Sequence, residues 1–128
     1  MLSRQQIYNK VRKYLLTQKV QCFSAPSLKI CAYRNAEGQS CAVGCLVSTT
    51  AYDESIEGGT VGDIISDVTA LCGNPDKLQE ILTATIGRKL QDADLALLDD
   101  LQNCHDSVKP RFWKTRLNKI ARDQGLHV

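Results

Sequence analysis

Apolar positions recur at helical spacing over most of the chain and in short unbroken runs over one segment. Near the start, Ile7, Tyr8, Val11, Tyr14 and Leu15 form one stripe, while Lys10, Arg12 and Lys13 fall outside it. Ser3-Arg-Gln-Gln6 has the form of a capping box, in which the Ser3 hydroxyl accepts from the amide three residues on and Gln6 reaches back. The pattern predicts a first helix that ends near Gln18. Pro26, flanked by Ser24 and Ser27, suits an irregular connection.

After residue 60 the helical patterns return. Val61, Ile64, Ile65, Val68 and Leu71 make one stripe that closes at Gly73; Pro75 opens another, with Leu78, Ile81, Leu82 and Ile86, closing at Gly87. Asp92 suits the N-cap of a helix carrying Leu95, Leu97, Leu98, Leu101 and Cys104. Pro110 starts the last, with Phe112, Trp113, Leu117, Ile120 and Ala121 inward and Gly125 as its stop.

The segment between the first helix and residue 48 reads differently. Ile30-Cys-Ala-Tyr-Arg34 and Cys41-Ala-Val-Gly-Cys-Leu-Val47 are short and apolar, and Asn35-Ala-Glu-Gly-Gln-Ser40 between them is turn-forming, which predicts a β-hairpin. Strand parity then puts Cys31, Tyr33, Cys41, Val43, Cys45 and Val47 on one buried face, with Ala32, Arg34, Ala42, Gly44 and Leu46 on the other. Residues 48–62 form a polar, acidic, glycine-rich connection. The expected fold class is α+β: a single mostly helical domain over residues 1–128 with a small antiparallel β-hairpin.

Composition adds limits. A chain of 128 residues with 43% hydrophobic side chains can bury one core unaided. The opening residues hold no apolar signal core and no run approaches membrane-spanning length, so a soluble cytoplasmic protein without membrane association is expected. In that compartment the six cysteines are expected as free thiols.

The formal net charge of +2 hides a segregation. Residues 1–34 hold seven basic side chains and no acid, residues 35–108 three basic against thirteen acidic, and residues 109–128 six basic against Asp123 alone. Either basic terminal helices neutralise acidic central ones, or the surface is bipolar and its basic side meets nucleic acid or an acidic protein. Lys109, Arg111, Lys114, Arg116 and Arg122 are the candidate partner-binding residues. Helical spacing turns the neighbouring aromatics inward.

The candidate chemistry centres on sulfur. Cys31, Cys41, Cys45, Cys104 and His105 are candidate zinc ligands, although strand geometry holds Cys41 about 13 Å from Cys45. Cys45 as nucleophile, with His105 and the neighbouring Asp106, makes a candidate catalytic set. Burial in the core is the competing reading for each thiol. Gly58-Gly-Thr-Val-Gly62 lacks a Walker lysine and suits a tight turn, and Asp53, Glu54 and Glu57 lack EF-hand spacing and suit a solvated loop. No cofactor is expected.

The combination Cys31-Ala-Tyr-Arg, Gly38-x-x-Cys-Ala-Val-Gly-Cys-Leu46, Tyr52-Asp53, Glu57-Gly58, Leu101-Gln-x-x-His-Asp106, Trp113, Leu117, Ile120-Ala121 and Gly125-Leu126 resembles an uncharacterised family of short proteins encoded in tailed phages and prophages. The resemblance spans nearly the whole chain, departs from the family after Val47, and implies no catalytic residues. It implies an accessory protein that binds or inhibits a host or phage protein without being an enzyme. A small cysteine-dependent or metal-assisted enzyme and a nucleic-acid binder using the basic terminal helices are the alternatives.

Overall fold

The computed structural model describes residues 1–24, 30–66 and 72–128. Five helices carry the chain: α1 (Arg4–Gln18), α2 (Val61–Ser66), α3 (Pro75–Ile86), α4 (Asp92–Ser107) and α5 (Trp113–Asp123). Local chemistry explains their ends. The Ser3 hydroxyl accepts from the Gln6 amide at 3.1 Å and Gln6 accepts from the Ser3 amide at 2.8 Å, so the predicted capping box starts α1. Asn74 caps α3 by accepting from the Lys77 amide, Pro75 occupies its first turn, and Gly87 closes it at φ 83°. The N-cap of α4 is Gln91, one residue before the expected Asp92, because the Asp94 carboxylate reaches back to the Gln91 amide at 2.8 Å.

α4 is the central element and packs against α1, α2 and α5. Leu97, Leu98, Leu101 and Cys104 of α4 meet Ile7, Tyr8 and Leu15 of α1 and Trp113 and Leu117 of α5 in one buried cluster. The Tyr8 hydroxyl finds a partner inside it, donating to the Leu117 carbonyl at 3.0 Å. No helix among the described residues is long and apolar enough to cross a membrane.

The expected hairpin does not form, and the fold is therefore not α+β. Among the described residues there is no strand; two isolated antiparallel bridges, Phe23 with Cys31 and Arg34 with Ser40, are the only β pairings. Side chains take over the amides that a ladder would have used. Glu57 accepts from the amides of Tyr33 and Arg34 at 2.8 and 3.3 Å, and Gln102 accepts from the Val43 amide at 3.0 Å. Beyond Ser40 the chain coils instead of extending: the Cys45 amide donates to the Cys41 carbonyl, and Gly44–Leu46 is a 3₁₀ turn. Burial consequently runs continuously from Ser40 to Gly44 without alternating, and Cys31 and Cys45, expected in the core, are half-buried.

Two further expectations are corrected. Pro110–Phe112 forms a 3₁₀ turn ahead of α5, which leaves Phe112 51% exposed while Trp113 is buried. Ile65, expected inward on α2, is exposed. Val68 and Leu71, and Pro26 and Ser27 of the irregular connection, lie outside the described residues.

Gly44 is where the coiled segment is tightest, because a Cβ there would overlap the Tyr33 carbonyl oxygen. Gly44→Ala is expected to cost about 1–3 kcal/mol, the usual range for overpacking, read as a lower denaturation midpoint with an unchanged slope.

Candidate functional site

Gln102, His105 and Asp106 stand three and four residues apart on α4 and so share one face, turned toward the non-helical segment before and after Cys31. His105 is wholly buried; its Nε2 accepts from the Cys22 amide at 2.9 Å and its ring stacks on Trp113 with centroids 5.6 Å apart. With Nε2 accepting, the neutral ring carries its proton on Nδ1, which donates to Asp106 Oδ1 at 2.7 Å. Gln102 Nε2 donates to the same oxygen at 2.8 Å. Gln21 caps the arrangement by donating to the His105 and Asp106 carbonyls in the last turn of α4.

This network decides what the expected metal ligands do. Cys31 Sγ, a ring nitrogen of His105 and a carboxylate oxygen of Asp106 lie within 4.8 Å of one another. The other expected ligands turn elsewhere: Cys41 Sγ accepts from the Gly44 amide, Cys45 Sγ donates to the Ala42 carbonyl, and Cys104 is buried in the core. A cation on His105 Nδ1 would force the ring proton onto Nε2, where the Cys22 N–H already points, leaving two donors facing each other. The three groups fit a hydrogen-bonded network and do not fit a metal centre.

Nucleophilic chemistry fares no better. Cys45 makes no hydrogen bond to His105, so the expected catalytic pair is not assembled, and Asp106 serves the imidazole as a structural acceptor. Burial pushes the Cys45 thiol up to about 12. Burial, followed by the Asp106 carboxylate, does the same to Cys31, and burial raises Cys22 and Cys104 to about 11. These are protonated thiols with no base to activate them. All six cysteines are free.

Cys31 and Asp106 face a half-open cavity of about 160 Å³, bounded also by Tyr33, Cys41, Thr60 and Gln102. Gly58, Ile30, Cys31 and Ala32 also line a wider outer cleft of about 790 Å³, where Arg34 stacks over the Tyr52 ring at 5.2 Å. Glu57, expected in a solvated loop, organises this wall by accepting from Tyr33, Arg34 and the Tyr52 hydroxyl. Gly58 and Gly73, both at positive φ, let two turns cross behind it, consistent with a tight turn at the glycine-rich stretch. The sequence presents Glu57 only as a solvated-loop carboxylate and does not single out Gln102 as a site residue; the i, i+3, i+4 spacing of Gln102, His105 and Asp106 is the available signal for the latter.

The second candidate surface is the basic one. Lys109, Arg111, Lys114, Arg116 and Arg122 are all exposed, and among the described residues none of them is in an ion pair. Lys119 is neutralised within its own helix by Asp123 at 2.5 Å. The Arg111 guanidinium lies over the exposed Phe112 ring, 4.9 Å from its centroid.

Comparison with known proteins finds no matching family model, no similar curated protein and no similar solved structure.

Two outcomes test the site. His105→Phe and Gln102→Met each leave a buried amide without its acceptor, and each is expected to lower stability by about 1–3 kcal/mol in denaturant unfolding. Alkylation of the native protein at pH 8 is expected to label the exposed Cys72 and to spare Cys22, Cys31, Cys41, Cys45 and Cys104. The unfolded thiols ionise near 9 while the folded ones stay protonated to about 11 or 12, so their contribution to stability is complete below pH 9 and declines as pH rises. Unfolding midpoints measured from pH 7 to 11 should fall only above pH 9.

Proposed function

We propose that this chain is a small phage- or prophage-type accessory protein that works in the cytoplasm by binding, and thereby inhibiting, a host or phage protein. The observation that supports the reading best is the basic surface of α5 and its lead-in. Lys109, Arg111, Lys114, Arg116 and Arg122 keep their charges for solvent, and Phe112 is 51% exposed beside them. An exposed aromatic ring with arginine against it is the residue pairing that anchors protein interfaces, and clustered uncompensated charge steers an oppositely charged partner. The partner surface is expected to be acidic with an apolar contact for Phe112.

The same outward Phe112 supports nucleic-acid binding as a second reading, since bases stack on aromatic rings beside basic grooves. Enzymatic use of Cys45 and His105 draws no support from their separate hydrogen bonds. The deciding experiment is affinity capture from host lysate at low salt with the wild-type chain and with a variant carrying Arg111→Glu, Phe112→Ala and Lys114→Glu. A specific protein retained by the wild type, released as salt rises and bound at least about tenfold more weakly by the variant is the expected outcome. Absence of any retained protein, together with retarded migration of DNA or RNA in a low-salt gel, would replace it with the second reading.

A further inference from the structure

We propose that the cavity beside Asp106 binds a small organic cation: a primary ammonium or amidinium group on an apolar body about the size of one aromatic ring. The inference is independent of the basic face. It rests on a carboxylate that, among the described residues, has no cationic partner and stands next to a space of defined size. The Asp106 side chain is only 28% exposed, yet among the described residues its ion-pair geometry involves no cation other than the His105 ring, which is neutral as a donor through Nδ1. Both side-chain donors to Asp106 among the described residues, Gln102 Nε2 and His105 Nδ1, use Oδ1. The second oxygen takes no side-chain hydrogen bond among the described residues, and Asp106 lines the cavity together with Cys31.

The rest of the lining defines the ligand. Ile30, Ala32, Tyr33 and Cys41 give apolar walls, and among the described residues the Thr60 hydroxyl has no hydrogen-bond partner. The Tyr33 hydroxyl is already spent on the Gly59 carbonyl, and both ends of Gln102 are occupied. Among the described residues the cavity thus offers acceptors and apolar surface and no cationic donor, which suits a cation and disfavours an anion. A volume of about 160 Å³ matches a single ring, since a cavity of about 150 Å³ accommodates benzene. The Asp106 charge also raises the titration of Cys22, Cys31, Tyr33 and Cys41, so its field pervades the cavity walls.

The test is calorimetric and NMR titration of the full chain with benzamidine and benzylamine, against benzamide and benzyl alcohol as neutral controls of the same shape. The cations are expected to bind at least about tenfold more tightly than the neutral controls, with amide shifts centred on Cys31, Tyr33 and Thr60. Asp106→Asn keeps an Oδ1 acceptor for His105 and Gln102 and is expected to abolish that preference. Should it fail to fold, Thr60→Trp, a substitution at an exposed lining position, is expected to block binding with Asp106 intact. Equal affinity for cation and neutral control, binding unchanged in Thr60→Trp, or no binding at millimolar ligand would each overturn the proposal.

Discussion

The polar face of α4 is the constraint on which the rest of the structure depends. Among the described residues, Cys22 and the stretch from Ala32 to Val47 enter the core without a strand ladder, so their buried amides need acceptors from somewhere else. His105 and Gln102 provide two of them, Asp106 holds both side chains in place, and Glu57 provides two more. An unsatisfied buried amide costs about 1–3 kcal/mol, against a total stability of about 5–15 kcal/mol for a domain of this size. The position of the whole segment is therefore set by a few side chains on one helix and one loop.

The same helix is anchored at its other end by a paired charge. Arg88 grips the Asp94 carboxylate at 2.5 and 2.7 Å and donates through Nε to the Leu2 carbonyl, tying the start of α4 to the start of the chain. That hydrogen bond to Arg88 is the first cause of the lowered Asp94 carboxyl. Two of the carboxylates of α4 thus have opposite surroundings: Asp94 meets a guanidinium, and Asp106, among the described residues, meets neutral donors beside the cavity. Charge segregation along the sequence has a spatial counterpart only in part. Among the described residues Lys114, Arg116 and Arg122 of α5 are in no ion pair, although α5 packs against the acid-bearing α4.

The helices were legible because each carries its own signals: the Ser3 and Gln6 box, Pro75 with Asn74, Gly87, and stripes several turns long. The hairpin was misread because two short apolar runs around a turn describe any buried extended chain, and nothing local tells whether its amides will meet another strand or a distant side chain. The information lies in Gln102, 59 residues beyond Val43, which the sequence presents as part of a motif and not as an acceptor. Phe112 was misplaced for a simpler reason. The helix was extended back to Pro110, whereas the first three residues wind as a tighter 3₁₀ turn, which changes the direction of that side chain by the time α5 begins at Trp113.

The cysteines show why residue type alone misled about chemistry. A thiol becomes a nucleophile or a ligand when its surroundings favour the anion, through a cation, a helix N-terminus or a base. Here Cys22, Cys41 and Cys104 sit without exposed surface, and Asp106 presses its own negative charge on Cys22, Cys31 and Cys41. Burial is the first cause that holds these thiols protonated, and the Asp106 charge adds to it at Cys22, Cys31 and Cys41. That same charge, beside the space that Cys31 and Cys41 help to line, is what the proposed preference for a cation rests on.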